Sequence, residues 1–188
     1  MTANVRDASI DDAAGIARVR VETWRAAYCG LVPQETLDRM DVERETARRM
    51  EHWDELHADA SKHDLVAVVD GEVVGWAMAG PARDEDAPVS GELYAIYALA
   101  DRWSRGVGHA LLAEVERRLM ADGHDHAYLW VLLGNHRATA FYESHGWHAD
   151  GGEKTEEGMH ERRHVRQLGA PIDGLEGHGE RQAGPPIT

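Results

Sequence analysis

The apolar positions change period several times along the chain, and each change marks an element. Residues 4–8 read as a short first strand. Ile10, Ala13, Ala17, Val21, Trp24 and Tyr28 then keep roughly helical spacing. Ser9 with Asp12 has the form of a capping box, and Asp11 and Asp12 stand where a helix N-terminus favours negative charge. Gly30 and Pro33 are expected to end that helix. A second helical region is expected over 34–60, with Leu37, Met40, Met50, Trp53 and Leu56 as its buried positions. Its spacing is irregular and leaves the inner boundaries open.

Two strands, 65–69 and 73–79, flank Asp70-Gly71, the strongest short hairpin signal in the chain. A polar loop at 83–88 leads to a strand at 92–99, rich in aliphatic and aromatic residues. Val107, Leu111, Val115 and Leu119 recur one turn apart and predict a helix over 106–120. The near-continuous apolar run 127–133 reads as a strand covered on both faces. A short helix at 135–145 closes at Gly146, and two last strands are expected at 147–150 and 160–168 around a polar turn at 151–158. From Gly169 onward glycine, proline and charge dominate. The expectation is one domain over 1–168 and a disordered tail over 169–188. The order is strand, two helices, three strands, helix, strand, helix, two strands. The step from 92 to 133 is long enough for a parallel crossover.

Composition narrows the function classes. A chain of 188 residues suits one domain. Its formal net charge of −14 argues against nucleic acid as a partner, because a broad basic face is lacking. The single cysteine, Cys29, excludes an internal disulfide. No apolar stretch approaches the ~20 residues that span a bilayer, and the first residues lack a basic region followed by an apolar run. A cytoplasmic protein without membrane contact is expected. His52 and His57 are off one helical face, and His124 and His126 could share a strand face. No Cys/His ligand set or H-E-x-x-H pattern accompanies them, so no metal site is expected.

The turn Trp103-Ser104-Arg105-Gly106-Val107-Gly108 lies between a strand and a helix. A helix N-terminus offers unpartnered backbone N–H groups and partial positive charge, which together bind phosphate. Gly106 and Gly108 would admit close approach of a pyrophosphate. A plain Gly-rich strand-to-helix turn would read the same way. No Gly-Lys-Ser/Thr follows, and the third glycine of a dinucleotide fingerprint is missing at 109–111. A second element is Asn135-His136-Arg137-Ala138-Thr139-Ala140-Phe141-Tyr142-Glu143, followed by Gly146-Trp147.

On these two elements the chain resembles the GNAT family of N-acetyltransferases over roughly 5–168. The family signature is Gln/Arg-x-x-Gly-x-Gly/Ala at a helix start, and its later helix often reads N-x-x-A-x-x-F-Y-E-x-x-G-F/Y/W. This chain departs by carrying Trp103 in the first place. The segment Trp24-Arg25-Ala26-Ala27-Tyr28 with Gly30 also looks like many bacterial members.

The resemblance implies an α/β fold: a mixed, largely antiparallel central sheet splayed around the cofactor, with helices on both faces. It implies an N-acetyltransferase that uses acetyl-CoA and passes the acetyl group directly to a primary amine in a ternary complex. The backbone amides of Arg105, Gly106, Val107, Gly108, His109 and Ala110 would take the phosphates, and Ile96, Tyr97 and Ala98 would pair with the pantetheine arm. Asn135 would contact that arm, and Tyr142, two turns further on the same face, would protonate the departing thiolate. Glu92 would be the general base. By plain alternation it shares a face with Tyr94, Ile96 and Ala98, unless a bulge intervenes. Trp24, Arg25 and Tyr28 would wall the acceptor site. A small-molecule amine is the favoured acceptor. A protein N-terminus or lysine, a non-catalytic acyl-CoA sensor, and a homodimer are the open alternatives.

Overall fold

The computed structural model describes residues 3–156 and 158–169. The expected tail over 169–188 lies outside the described residues except for Gly169. Seven strands form one sheet in the order β1-β2-β3-β4-β5-β7-β6. They are β1 (Asn4–Asp7), β2 (His63–Val69), β3 (Glu72–Pro81), β4 (Gly91–Ala98), β5 (His126–Leu132), β6 (His148–Glu156) and β7 (Met159–Gln167). The helices are α1 (Ala13–Ala27), α2 (Gln34–Asp38), α3 (Val42–Glu51), α4 (Trp53–Leu56), α5 (Val107–Ala121) and α6 (His136–Ser144). Every neighbouring strand pair is antiparallel except β4 with β5.

Local chemistry explains most boundaries. The capping box of Ser9 and Asp12 forms, and it starts a 3₁₀ turn at Ile10–Asp12 that runs into α1. Asp70 and Gly71 both take positive φ, 52° and 83°, as the two-residue hairpin turn between β2 and β3 requires. The expected second helix is three short ones. Leu37 and Met40 are buried as expected, but Met50 is 50% exposed and α3 buries no residue fully. Its contribution is polar instead. Arg49 reaches across to pair with the buried Asp64 of β2, which also accepts from the Trp76 indole at 2.6 Å. The polar stretch at 151–158 also differs from expectation, because β6 continues through it to Glu156. Its register against β7 slips between Ala149 and Glu153, so a bulge absorbs Asp150, Gly151 and Gly152 without ending the strand.

Two bulges decide which side chains meet. The first shifts the β2–β3 register between Ala67 and Val68, leaving Val74 as the extra residue. Val73 therefore faces Gly15 of α1, while Gly75 faces Val107 and Leu111 of α5. Helix α1, with α3 against it, covers one face of the sheet, and α5 covers the other. The core gathers around Leu65, Val74, Leu93, Leu111, Val115 and Leu129. The second bulge adds Tyr94 to β4. Beyond it, β4 separates from β5, which pairs with it only at Gly91–Ala127 and Glu92–Tyr128.

Candidate active site

The splay between β4 and β5 opens a cavity of about 790 Å³. That size suits a cofactor-sized ligand. At one end lie Ser104, Gly106, Gly108 and His109, and at the other Tyr28, Trp130, Lys154 and Glu161. Ile96, Tyr97 and Ala98 form the β4 wall between them, and Asn135 and Tyr142 come from α6.

Gly106 sits at φ 84°, just before α5, and an added Cβ would meet nothing there within 4 Å. Its requirement is the left-handed backbone itself. Gly108 meets a different limit, since a Cβ would stand 3.3 Å from the Phe141 ring in tight contact. It lets α6 pack on α5. The Ala110 amide already bonds the Gly106 carbonyl at 2.9 Å. The amides of Val107, Gly108 and His109 are the ones a helix start leaves unpaired. Val107 turns its side chain into the core, and Arg105, Val107 and Ala110 do not line the cavity. Ser104 holds φ 58° in this turn without being glycine.

Asn135 caps α6 by accepting from the Ala138 amide at 3.1 Å and also lines the cavity. Tyr142 is buried, with ring centroids 5.3 Å from Phe141 and 6.3 Å from Trp147. Burial first, and then electrostatic coupling to the Tyr97 phenol, pushes its phenol well above the ordinary value. Trp24 and Tyr28 line the opposite end, their rings packed edge to face at 4.9 Å. Arg25 is not brought to the cavity. Its guanidinium donates to the Met40 carbonyl at 2.7 Å and ties α1 to the residues after α2.

Glu92 pairs with Gly80, Ala95 with Met78, and Tyr97 with Trp76. Because Gly80, Met78 and Trp76 alternate regularly on β3, Glu92 shares its face with Ala95 and Tyr97. The bulge at Tyr94 thus overturns the plain alternation that would group it with Tyr94, Ile96 and Ala98. The carboxylate borders the cavity and is 2% exposed. It accepts from the Arg83 amide at 2.9 Å, from the Arg83 guanidinium and from the Tyr128 hydroxyl at 2.8 Å. A further proton donor would reach it by displacing one of these.

Several lining residues carry no motif. Arg83 stacks on the Tyr94 ring at 4.0 Å, and Trp130 donates its indole N–H to Asp84 at 2.9 Å. The alternation of Tyr128, Trp130 and Leu132 could have marked Trp130 as facing one side with Tyr128. Nothing local marks Lys154 or Glu161. Among the described residues no group of three or more His, Cys, Asp or Glu is arranged to hold a metal ion. No helix among them is long and apolar enough to cross a membrane.

Residues 20–147 match the model of the acetyltransferase (GNAT) family. An uncharacterized N-acetyltransferase of Bacillus subtilis strain 168, YuaI, is 34% identical over 142 residues, which are 75% of this chain and 78% of the relative. Among solved structures, the PaiA N-acetyltransferase of Thermoplasma acidophilum in complex with coenzyme A superposes with a TM-score of 0.70 at 19% identity, over 87% of this chain and 98% of its own. The YncA protein of Salmonella typhimurium, solved with acetyl-CoA, reaches 0.64 at 18% identity over 100% of both chains. At these identities the two structures bear on the fold alone.

Proposed function

The chain belongs to the acetyltransferase (GNAT) family, and from that premise we propose that it moves the acetyl group of acetyl-CoA directly to the primary amine of a small molecule. The single observation that carries this reading is the continuous cavity, which runs from the helix start at Gly106 past the free edge of β4 to an aromatic and charged end. The order matches the order of chemistry along the cofactor: phosphates, pantetheine arm, thioester, acceptor.

In this reading the amides of Gly106, Val107, Gly108 and His109 take the pyrophosphate, with the flanking turn at Arg105 and Ala110 holding them in place. Ile96, Tyr97 and Ala98 lay the pantetheine arm along β4, with Asn135 beside it. The neutral amine attacks the thioester carbonyl, the C–N bond forms, and the C–S bond breaks as the tetrahedral intermediate collapses. Tyr142 gives its proton to the departing thiolate and recovers one from the amide nitrogen. Glu92 receives the first proton, the one lost by the acceptor ammonium, through water that displaces an Arg83 donor. Trp24 and Tyr28 wall the acceptor, and Arg25 holds α1 behind them. The aromatic and charged lining at the acceptor end, from Trp24, Tyr28, Trp130 and Glu161, supports a small amine as acceptor.

Thiol release from acetyl-CoA, measured across a panel of primary amines, tests the reading. Release with at least one small amine, well above the rate in water, is expected. Binding of acetyl-CoA with no release for any amine would make the protein a sensor, and release only with peptides would make the acceptor a protein.

A further inference from the structure

The far corner of the cavity already contains a primary ammonium. Lys154 of β6 places its Nζ 4.6 Å from the centroid of the Trp130 ring, 3.5 Å from a Glu156 carboxylate oxygen and 3.9 Å from one of Glu161. All four residues line the cavity. An alkyl ammonium on an aromatic face beside a carboxylate is the arrangement that recognises a cationic amine.

The sheet brings this corner to the acceptor side. Tyr128 pairs with Glu92, Trp130 and Leu132 follow it in alternation on β5, and Leu132 pairs with Glu161 of β7. Glu161 therefore lies on the face of Glu92 and Tyr97, the face that α1 covers with Trp24 and Tyr28. Burial holds the Tyr28 phenol protonated, and the charge of Glu161 adds to that effect.

The charges around Glu161 leave it in need of a cation. Lys154 is the nearest, and at 3.9 Å it is not in hydrogen-bond contact. Arg83 is taken by Glu92. Arg163, 5.5 Å from the Trp130 ring centroid, is taken by Asp150 at 2.9 Å. Glu156 on the same wall, and Asp84 behind it in the chain after Arg83, add negative charge. Burial first, and then these two carboxylates against Lys154 and Arg83, hold the Glu161 carboxyl above its ordinary value.

We propose that Glu161 and the Trp130 ring form the subsite for the acceptor's ammonium, that Lys154 fills it in the free protein and yields it to the acceptor, and that the acceptors are therefore cationic primary amines without a carboxylate. The proposal rests on the acetyltransfer reading above and names its substrate class. Lys154 has four rotatable side-chain bonds and is 30% exposed, so it can leave without moving β6. Its displacement makes it an internal competitor of the acceptor.

The test compares 1,4-diaminobutane and 1,5-diaminopentane, whose second amine can occupy the subsite while the first is acetylated, with 4-aminobutanoate and glycine, using thiol release from acetyl-CoA by the full chain. The cationic pair should be used at least tenfold better in kcat/KM. Glu161→Gln should raise the KM for 1,4-diaminobutane at least tenfold while leaving acetyl-CoA affinity, by calorimetry, within about twofold. Lys154→Met should lower that KM. The proposal is overturned by Glu161→Gln with an unchanged amine KM, by a raised KM in Lys154→Met, or by preference for the carboxylate-bearing amines. If no amine releases thiol, the acetyltransfer reading is what fails. Calorimetric binding of 1,4-diaminobutane to the CoA-loaded protein then decides the subsite, by whether Glu161→Gln weakens it.

Discussion

The guanidinium carbon of Arg137 stands 4.0 Å from the centroid of the Trp103 ring. Trp103 occupies the place where the GNAT signature carries Gln or Arg, and its indole N–H donates to the Ala98 carbonyl at 2.8 Å. The ring thus ties the turn before α5 to the end of β4 and offers its outer face to a cation from α6. The basic side chain that position 103 lacks is supplied at that place by a residue thirty-four positions later. Arg137→Ala is expected to raise the Kd for acetyl-CoA about tenfold, or ~1.4 kcal/mol. The loss should shrink as salt is raised, because a phosphate contact is screened. Calorimetry at two ionic strengths checks it, and an equal Kd for parent and variant would remove Arg137 from the cofactor site.

Gly106 separates backbone strain from ligand binding. Its φ of 84° makes alanine cost about 1 kcal/mol or somewhat more, with no clash to add. Gly106→Ala should therefore lower the melting temperature by a few degrees yet keep the upward shift that acetyl-CoA produces. Gly106→Glu should lose that shift, since a carboxylate would stand in the phosphate position. Thermal melts with and without acetyl-CoA distinguish the two, and a full shift in the Glu variant would place the phosphates elsewhere.

Tyr142→Phe removes one hydroxyl and keeps the ring that packs on Phe141 and Trp147. If the phenol protonates the thiolate, kcat should fall about 10²–10⁴-fold with acetyl-CoA affinity intact. Because burial raises this phenol, it remains a donor throughout the neutral range, and its own ionisation should limit activity only in strong alkali. A variant that turns over within about threefold of the parent would exclude the role.

Acid stability should depend on Asp12. Its carboxyl is lowered to about 2, chiefly by the Arg6 hydrogen bonds at 2.7 and 2.8 Å, against burial and with help from Ser9. A depressed carboxylate stabilises the fold above its unfolded value near 4, and that stability is lost as pH falls toward 2. Asp12→Asn should be less stable than the parent at pH 7 by ~1–2 kcal/mol, because the charge-assisted bonds to Arg6 are lost. The gap between the two should close between pH 4 and 2. Denaturant melts across that range measure it, and a gap independent of pH would mean that the charge of Asp12 is immaterial.

Much of the fold was legible from short-range pattern. Asp70-Gly71 announced the β2–β3 hairpin because two positive φ values are needed there and few residue pairs tolerate them. Ser9 and Asp12 announced the start of the first helix, and the run at 127–133 announced a strand covered on both faces. The helix start at Gly106 and the α6 segment with Asn135 and Tyr142 were equally plain, since each lies within two or three turns of chain. Met50 was misplaced because α3 is held by the reach of Arg49 to Asp64, an interaction that hydrophobic spacing does not register.

What the sequence determined alone was therefore most of the elements, the turn at Gly106 and the residues carried by one helix or one strand. What only the tertiary structure decided was which side chains share the cavity. The extra residue Tyr94 turns Glu92 toward Tyr97, and a bulge of this kind depends on pairing with β3, not on β4 itself. Trp130, Lys154 and Glu161 meet because β5, β6 and β7 lie side by side in the order β5-β7-β6, and Arg25 turns away because Met40 offers it a carbonyl. Hydrogen bonds within a helix or a tight turn join residues close in sequence, whereas strand register joins residues far apart, and no local pattern carries that information.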